Sequence, residues 1–111
     1  MLTKHCSEPY LSQLISGDKT VEGRVNKGDW ASLSINQNIC LYDGTKSAIF
    51  KVIGMCQVSD FEQLYELFGH KLLPKVNSAK HAAQTYAIWF NDELIKEYGV
   101  VGVQLEFVRL N

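Results

Sequence analysis

Asp43-Gly44 sits between two apolar runs, Ile39 to Tyr42 and Ala48 to Val58, and no other feature of the chain restricts its fold as strongly. Asp-Gly at the tip of two such runs signals a hairpin, because glycine takes the positive φ that a tight reversal demands. An antiparallel strand pair is therefore written into the middle of the sequence. The returning run is long enough to need a bend, and Gly54 is the natural place for it. A further strand closes the sequence: Val101, Val103, Leu105 and Phe107 alternate with Gly102, Gln104 and Glu106, the period of a strand with one buried face.

Between and before these strands the period changes. Ser7 reads as a helix cap, with Glu8 and Pro9 in a first turn and Leu11, Leu14 and Ile15 on one face, giving a helix over Glu8–Ser16 that Gly17 stops. Ser59 with Glu62 reads as a capping box ahead of Phe61, Leu64, Tyr65 and Phe68, and Gly69 ends that helix. Another helix starts near Ser78 and carries Ala82, Ala83, Tyr86, Trp89 and Phe90 on one face; Asn91-Asp92 breaks it, and Gly99 ends a last short turn. Leu2 to Cys6 reads as an opening strand. The tally is five or six short strands and three or four helices that do not alternate regularly. That pattern excludes a doubly wound parallel sheet and specifies an α+β fold. Phe61, Leu64, Val101, Val103, Leu105 and Phe107, with Leu11 and Leu14, are the expected core.

The chain's chemistry is concentrated in Gly17-Asp18-Lys19-Thr20-Val21-Glu22-Gly23-Arg24. Read as a strand leaving the first helix, it sends Thr20, Glu22 and Arg24 to one face and Lys19, Val21 and Gly23 to the other, with the whole strand at the centre of the sheet. A carboxylate beside a guanidinium is either a structural ion pair or the wall of a pocket for an anion or a polar planar ligand. Trp30 and Tyr86 are candidates to join it, Trp30 either as cover for the core or as a surface for a ligand ring.

Other chemistries are missing. The sequence has no Gly-rich phosphate loop, no nucleophile elbow and no metal-binding spacing of His or Cys, so neither metal nor cofactor is expected. His5, His70 and His81 read as surface or loop residues. Cys6, Cys40 and Cys56 are an odd number placed far apart, which suits reduced thiols rather than a disulfide framework. A single domain over residues 1–111 is expected, and the absence of a long apolar run makes a soluble, cytoplasmic protein the default. A formal net charge of −1 weighs against a strongly electrostatic nucleic-acid binder. The charge is uneven, however. Lys71, Lys75 and Lys80 fall in a stretch from Gly69 to His81 that contains no acid, which is either a solvated loop or a basic edge.

The stretch Ser16-Gly17-Asp18-Lys19-Thr20-Val21-Glu22-Gly23-Arg24 resembles the signature of the ASCH domain family, a branch of the PUA-like superfold. Gly28-Asp29-Trp30, Ser59-Asp60-Phe61, Leu73-Pro74, Tyr86 and Tyr98-Gly99-Val100-Val101 follow in the order found in small stand-alone ASCH proteins. One departure is Asn36-Gln37-Asn38 where members usually carry Gly-Asp; Asn tolerates left-handed backbone, so the turn is expected to survive. The resemblance implies a small PUA-like β-barrel with flanking helices and a cleft beside the signature strand. It also implies RNA, or a nucleoside- or nucleotide-like molecule, as partner, held by Lys19, Thr20, Glu22, Arg24, Trp30 and Tyr86. Some small ASCH proteins are instead amidohydrolases that deacetylate a modified cytidine nucleoside with a lysine, a threonine and a glutamate. Lys19 matches that lysine, but Glu22 stands where the threonine falls. On that alternative Lys19 and Glu22 are the candidate catalytic pair, and a third alternative is an interaction domain whose cleft is only structural.

Overall fold

A computed structural model describes residues 1–111. In chain order the elements are β1 (Leu2–His5), α1 (Tyr10–Ser16), β2 (Val21–Val25), a 3-10 turn (Gly28–Ser32), β3 (Asn38–Asp43), β4 (Lys46–Val58), α2 (Phe61–Phe68), a 3-10 turn (Gly69–Lys71), α3 (Ala79–Tyr86), α4 (Asp92–Tyr98) and β5 (Val100–Leu110). The strands form one sheet in the order β1-β3-β4-β5-β2. β1 runs parallel to β3, and every other pair is antiparallel.

The hairpin at the centre forms as the sequence specifies. Asp43 pairs with Lys46, and Gly44 takes φ +59 as the first central residue of a two-residue loop, which is what a type II′ turn asks for. β4 bends by register shifts against β5 at Ile49/Phe50 and at Val52/Gly54, so Gly54 sits where the bend was expected. Asn36 has φ +74, keeping the turn that a glycine would usually make.

The bends curl the sheet until its two edge strands, β1 and β2, face each other. No backbone ladder joins them. Side chains bridge the seam instead: Arg24 Nη2 donates to the His5 carbonyl at 2.9 Å, and the Cys6 thiol donates to Glu22 Oε2 at 3.2 Å. The signature strand is thus an edge of an incompletely closed barrel and not its centre, because β5 pairs it on one side only.

Apolar side chains fill both faces of β5. Val101, Val103 and Leu105 point inside the curl with Phe50, Leu11 and Leu14, while Val100 faces the other way against Phe61, Leu64, Leu72 and Tyr86. Gly102 allows the close approach of α2: a Cβ there would lie 2.6 Å from Leu64 Cδ1. Phe107, expected in the core, is 37% exposed and meets Phe50 only edge-on at 5.9 Å. It lies at the register shift between Ile49 and Phe50, beyond the last fully buried residue of β5.

Helix boundaries moved where side chains compete for backbone. α1 starts at Tyr10, not Glu8, because Glu8 acts from outside the helix, accepting from the Ser12 amide at 2.7 Å while its own amide goes to Asp43; the Ser7 side chain does not cap. At α2 the cap is Asp60, accepting from Gln63 at 2.9 Å, and Gln63 Oε1 takes the Ser59 amide, so the box is one residue later than expected. Ser78 caps α3 as expected, but α3 ends at Tyr86. Trp89 and Phe90 therefore lie on a turn beyond it, and their amides both donate to the Tyr86 carbonyl. No helix is long and apolar enough to cross a membrane.

Candidate functional site

The seam between β1 and β2 opens into a cavity of about 490 Å3. β1 and the residue after it contribute Lys4, His5 and Cys6, the start of α1 contributes Tyr10, β2 contributes Glu22, Gly23 and Arg24, and Lys19 enters from the turn before it. Trp30, Tyr86, Trp89 and Phe90, with Leu73, complete a largely aromatic wall.

Lys19 and Glu22 meet, against the alternation read from the sequence. The Lys19 amide is tied to the Gln13 carbonyl and the Thr20 amide to the Lys71 carbonyl, so these two residues belong to a turn and strand alternation begins only at Val21. The ammonium of Lys19, a residue only 1% exposed, then lies 3.5 Å from Glu22 Oε1. Lys19 Nζ also donates to the carbonyls of Val21, at 2.6 Å, and Leu72. Two carbonyls and, more distantly, the carboxylate surround the three donors of an ammonium, whereas a neutral amine would turn its lone pair on one of them. Burial outweighs the opposing pull of Glu22 and sets Lys19 below its usual range, while the acceptors around Nζ are those that an ammonium needs.

Glu22 is the focus of the site. Oε2 accepts from Cys6 Sγ at 3.2 Å and Arg24 Nη2 at 3.1 Å, while Oε1 has only the long contact to Lys19. Burial pushes its carboxyl up, but Lys19 and Arg24 outweigh that and hold it below the ordinary carboxylate value, so the group is ionised at neutral pH. Burial first, then the Glu22 charge, pushes the Cys6 thiol and the Tyr10 and Tyr86 hydroxyls upward, and all three keep their protons. Every titratable neighbour of the carboxylate is thereby a donor.

Tyr86 Oη is buried and has no hydrogen-bond partner. Its ring is stacked on Phe61 at 3.9 Å and lies against Gly23, where a Cβ would come within 2.8 Å of the hydroxyl. Trp30 is both of the things the sequence left open: it is buried in the core, and its ring carries the Arg24 guanidinium at 4.4 Å while lining the cavity.

Of the residues singled out in the sequence, Lys19, Glu22, Arg24, Trp30 and Tyr86 come together. Thr20 does not: its backbone locks β2 to Leu105 and Lys71, and its side chain is not part of the cavity wall. Lys71, Lys75 and Lys80 also lie outside the wall. The sequence reading missed Cys6, Tyr10, Trp89 and Phe90, and also His5, which it placed at the surface. His5 is indeed exposed, bonded to Asp43 at 3.2 Å, yet its edge forms the rim. No local pattern marks these residues, because each reaches the cavity only when the sheet curls.

An incompletely closed five-stranded barrel with helices packed at its side and a cavity on the signature strand is a PUA-like α+β domain. The family model described as the ASCH domain matches residues 5–108, and the chain belongs to that family. Among solved structures, the crystal structure of hypothetical protein PH0355 superposes with a TM-score of 0.90 at 26% identity, covering 96% of this chain and 98% of that one. The solution structure of PF0455 from Pyrococcus furiosus gives 0.79 at 23% identity, covering 96% of each chain. ASCH from Zymomonas mobilis gives 0.60 at 14% identity, covering 97% of this chain and 68% of that one, a likeness of fold alone. No curated protein matches the chain.

Proposed function

We propose that the chain binds a nucleobase, within RNA or a nucleotide-like ligand, in the seam cavity. The observation that carries this is the buried Tyr86 hydroxyl without a partner beside a buried carboxylate whose Oε1 is barely used. An unsatisfied buried polar group costs stability, and at a cavity wall a bound ligand can satisfy it. A carboxylate accepts from an exocyclic amine and a tyrosine hydroxyl donates to a ring nitrogen or carbonyl. Together they suit the edge of cytosine or adenine, with Tyr10, Trp30 and Trp89 as the flanking aromatic surface. The family supports the reading, since ASCH domains are PUA-like and implied in RNA-linked processes.

Both tryptophans of the chain line the cavity, so their fluorescence reports occupancy directly. Titration with cytidine, adenosine and short single-stranded RNA should quench it, with RNA affinity falling as salt rises. Arg24→Ala should weaken binding more than Lys75→Ala, because Arg24 lies in the cavity wall and Lys75 does not. Equal binding by the Arg24→Ala protein and the parent would remove Arg24 from the site, and no quenching by any of the probes would end the reading.

The convergence of Lys19 and Glu22 favours a second reading, deacylation of an acetylated cytidine. Against it, Lys19 Nζ is engaged by two backbone carbonyls instead of standing free as a base, and no hydroxyl nucleophile occupies the Glu22 position. Incubation with N4-acetylcytidine is expected to release little cytidine. Robust turnover, lost in folded Lys19→Arg and Glu22→Gln proteins, would replace the binder with a hydrolase.

A further inference from the structure

A second cavity of about 410 Å3 opens beside the first and shares Lys4, Arg24, Trp30 and Phe90 with it. Lys27, Asp29 and Leu94 are among the residues that line only the second. Three cations, Lys4, Arg24 and Lys27, thus meet one carboxylate, in a chain whose formal net charge is −1. Lys4 is paired to Asp29 at 2.8 Å. Lys27 pairs with no carboxylate and rests over the Tyr98 ring at 5.0 Å. Arg24 spends only Nη2 on Glu22 and His5, leaving Nε and Nη1 without a protein partner on the wall between the cavities.

We infer that the second cavity holds the phosphate and the neighbouring nucleotide of a single strand whose base fills the first, so that the ligand is one step of a polynucleotide and not a free nucleoside. This rests on the nucleobase reading of the first cavity. A surplus of positive charge at the junction matches the charge that a phosphodiester places between two bases, and a guanidinium with a free edge is the side chain suited to it. The space beyond the junction exceeds what a phosphate fills, and Trp30, Phe90 and Leu94 give it an apolar side on which a second ring can lie.

The test compares cytidine, adenosine, their 3′- and 5′-monophosphates and the dinucleotides CpA and ApC by tryptophan fluorescence at low salt. One dinucleotide should bind about tenfold or more tightly than either nucleoside, and more tightly than any monophosphate. Lys27→Ala, an exposed change outside the first cavity, should remove most of that advantage, leave nucleoside affinity unchanged and lower the salt slope of dinucleotide binding by about one. If a monophosphate binds as well as the better dinucleotide, the site is a mononucleotide site and the inference is overturned. Unchanged dinucleotide affinity in Lys27→Ala overturns it equally. Nucleoside binding in either case leaves the first reading standing, whereas no binding by any probe sinks both.

Discussion

Tyr86 carries a hydroxyl that the protein itself never satisfies, and this separates its contribution to folding from its contribution to binding. Tyr86→Phe keeps the stack on Phe61 and deletes an unpaired buried group, so urea denaturation should show a protein at least as stable as the parent. The same change should weaken nucleobase binding by roughly tenfold, about 1–1.5 kcal/mol for one lost hydrogen bond. A loss of stability with unchanged affinity would place the hydroxyl in the scaffold instead. Lys19 behaves oppositely. Its ammonium joins the Val21 and Leu72 carbonyls to Glu22, so Lys19→Met strands a buried carboxylate and should cost about 3–5 kcal/mol in the same assay. A cost below about 1 kcal/mol would show that Glu22 finds compensation elsewhere.

Among the elements, β5 shows how far a period-two pattern can be trusted. Val101, Val103 and Leu105 are buried as the alternation requires, but Phe107 continues the pattern in sequence and leaves it in space. Leu105→Ala should destabilise by about 2–5 kcal/mol, whereas Phe107→Ala should fall below that range because the ring is already partly in water. Denaturant midpoints that ranked the two the other way would mean the strand face beyond the bulge is wrongly assigned. β2 illustrates a different limit. Its residues are buried on both sides although it is an edge strand, since α2 covers one face and the seam closes over the other. Sequence period does not reveal which strand ends a sheet, because edge position depends on pairing with residues some eighty places away.

For the molecule as a whole, the seam of the barrel is bridged by side-chain hydrogen bonds that involve the charged Glu22 and Arg24 rather than by a backbone ladder. Glu22 takes both the Cys6 thiol and Arg24 at the seam, and its carboxyl is held below an ordinary value of about 4.5. A carboxyl depressed by folding adds stability above its ordinary value and loses it as the pH falls through the folded one. Urea midpoints of the parent and Glu22→Gln should therefore differ most near neutrality and converge as pH drops below about 4.5. A gap that stays constant from pH 7 to 3 would show that the carboxylate charge does not hold the seam.

The sequence alone determined the hairpin at Asp43-Gly44, the bend near Gly54, the Ser78 cap, seven of the eight side chains expected in the core, and the stretch from which Lys19, Glu22 and Arg24 reach the cavity. Each is fixed by residues adjacent in the chain or by a period visible along it. The tertiary structure decided the rest. It turned Lys19 toward Glu22 by tying the preceding turn to Gln13 and Lys71, took Thr20 out of the cavity, and brought Cys6, Tyr10 and Trp89 in. The entry of Cys6 and Tyr10 follows from the curl of the sheet, which sets β1 against β2 and gathers side chains from Lys4 to Phe90 around one cavity. That juxtaposition depends on accumulated strand twist and bulges, to which no short stretch of sequence corresponds.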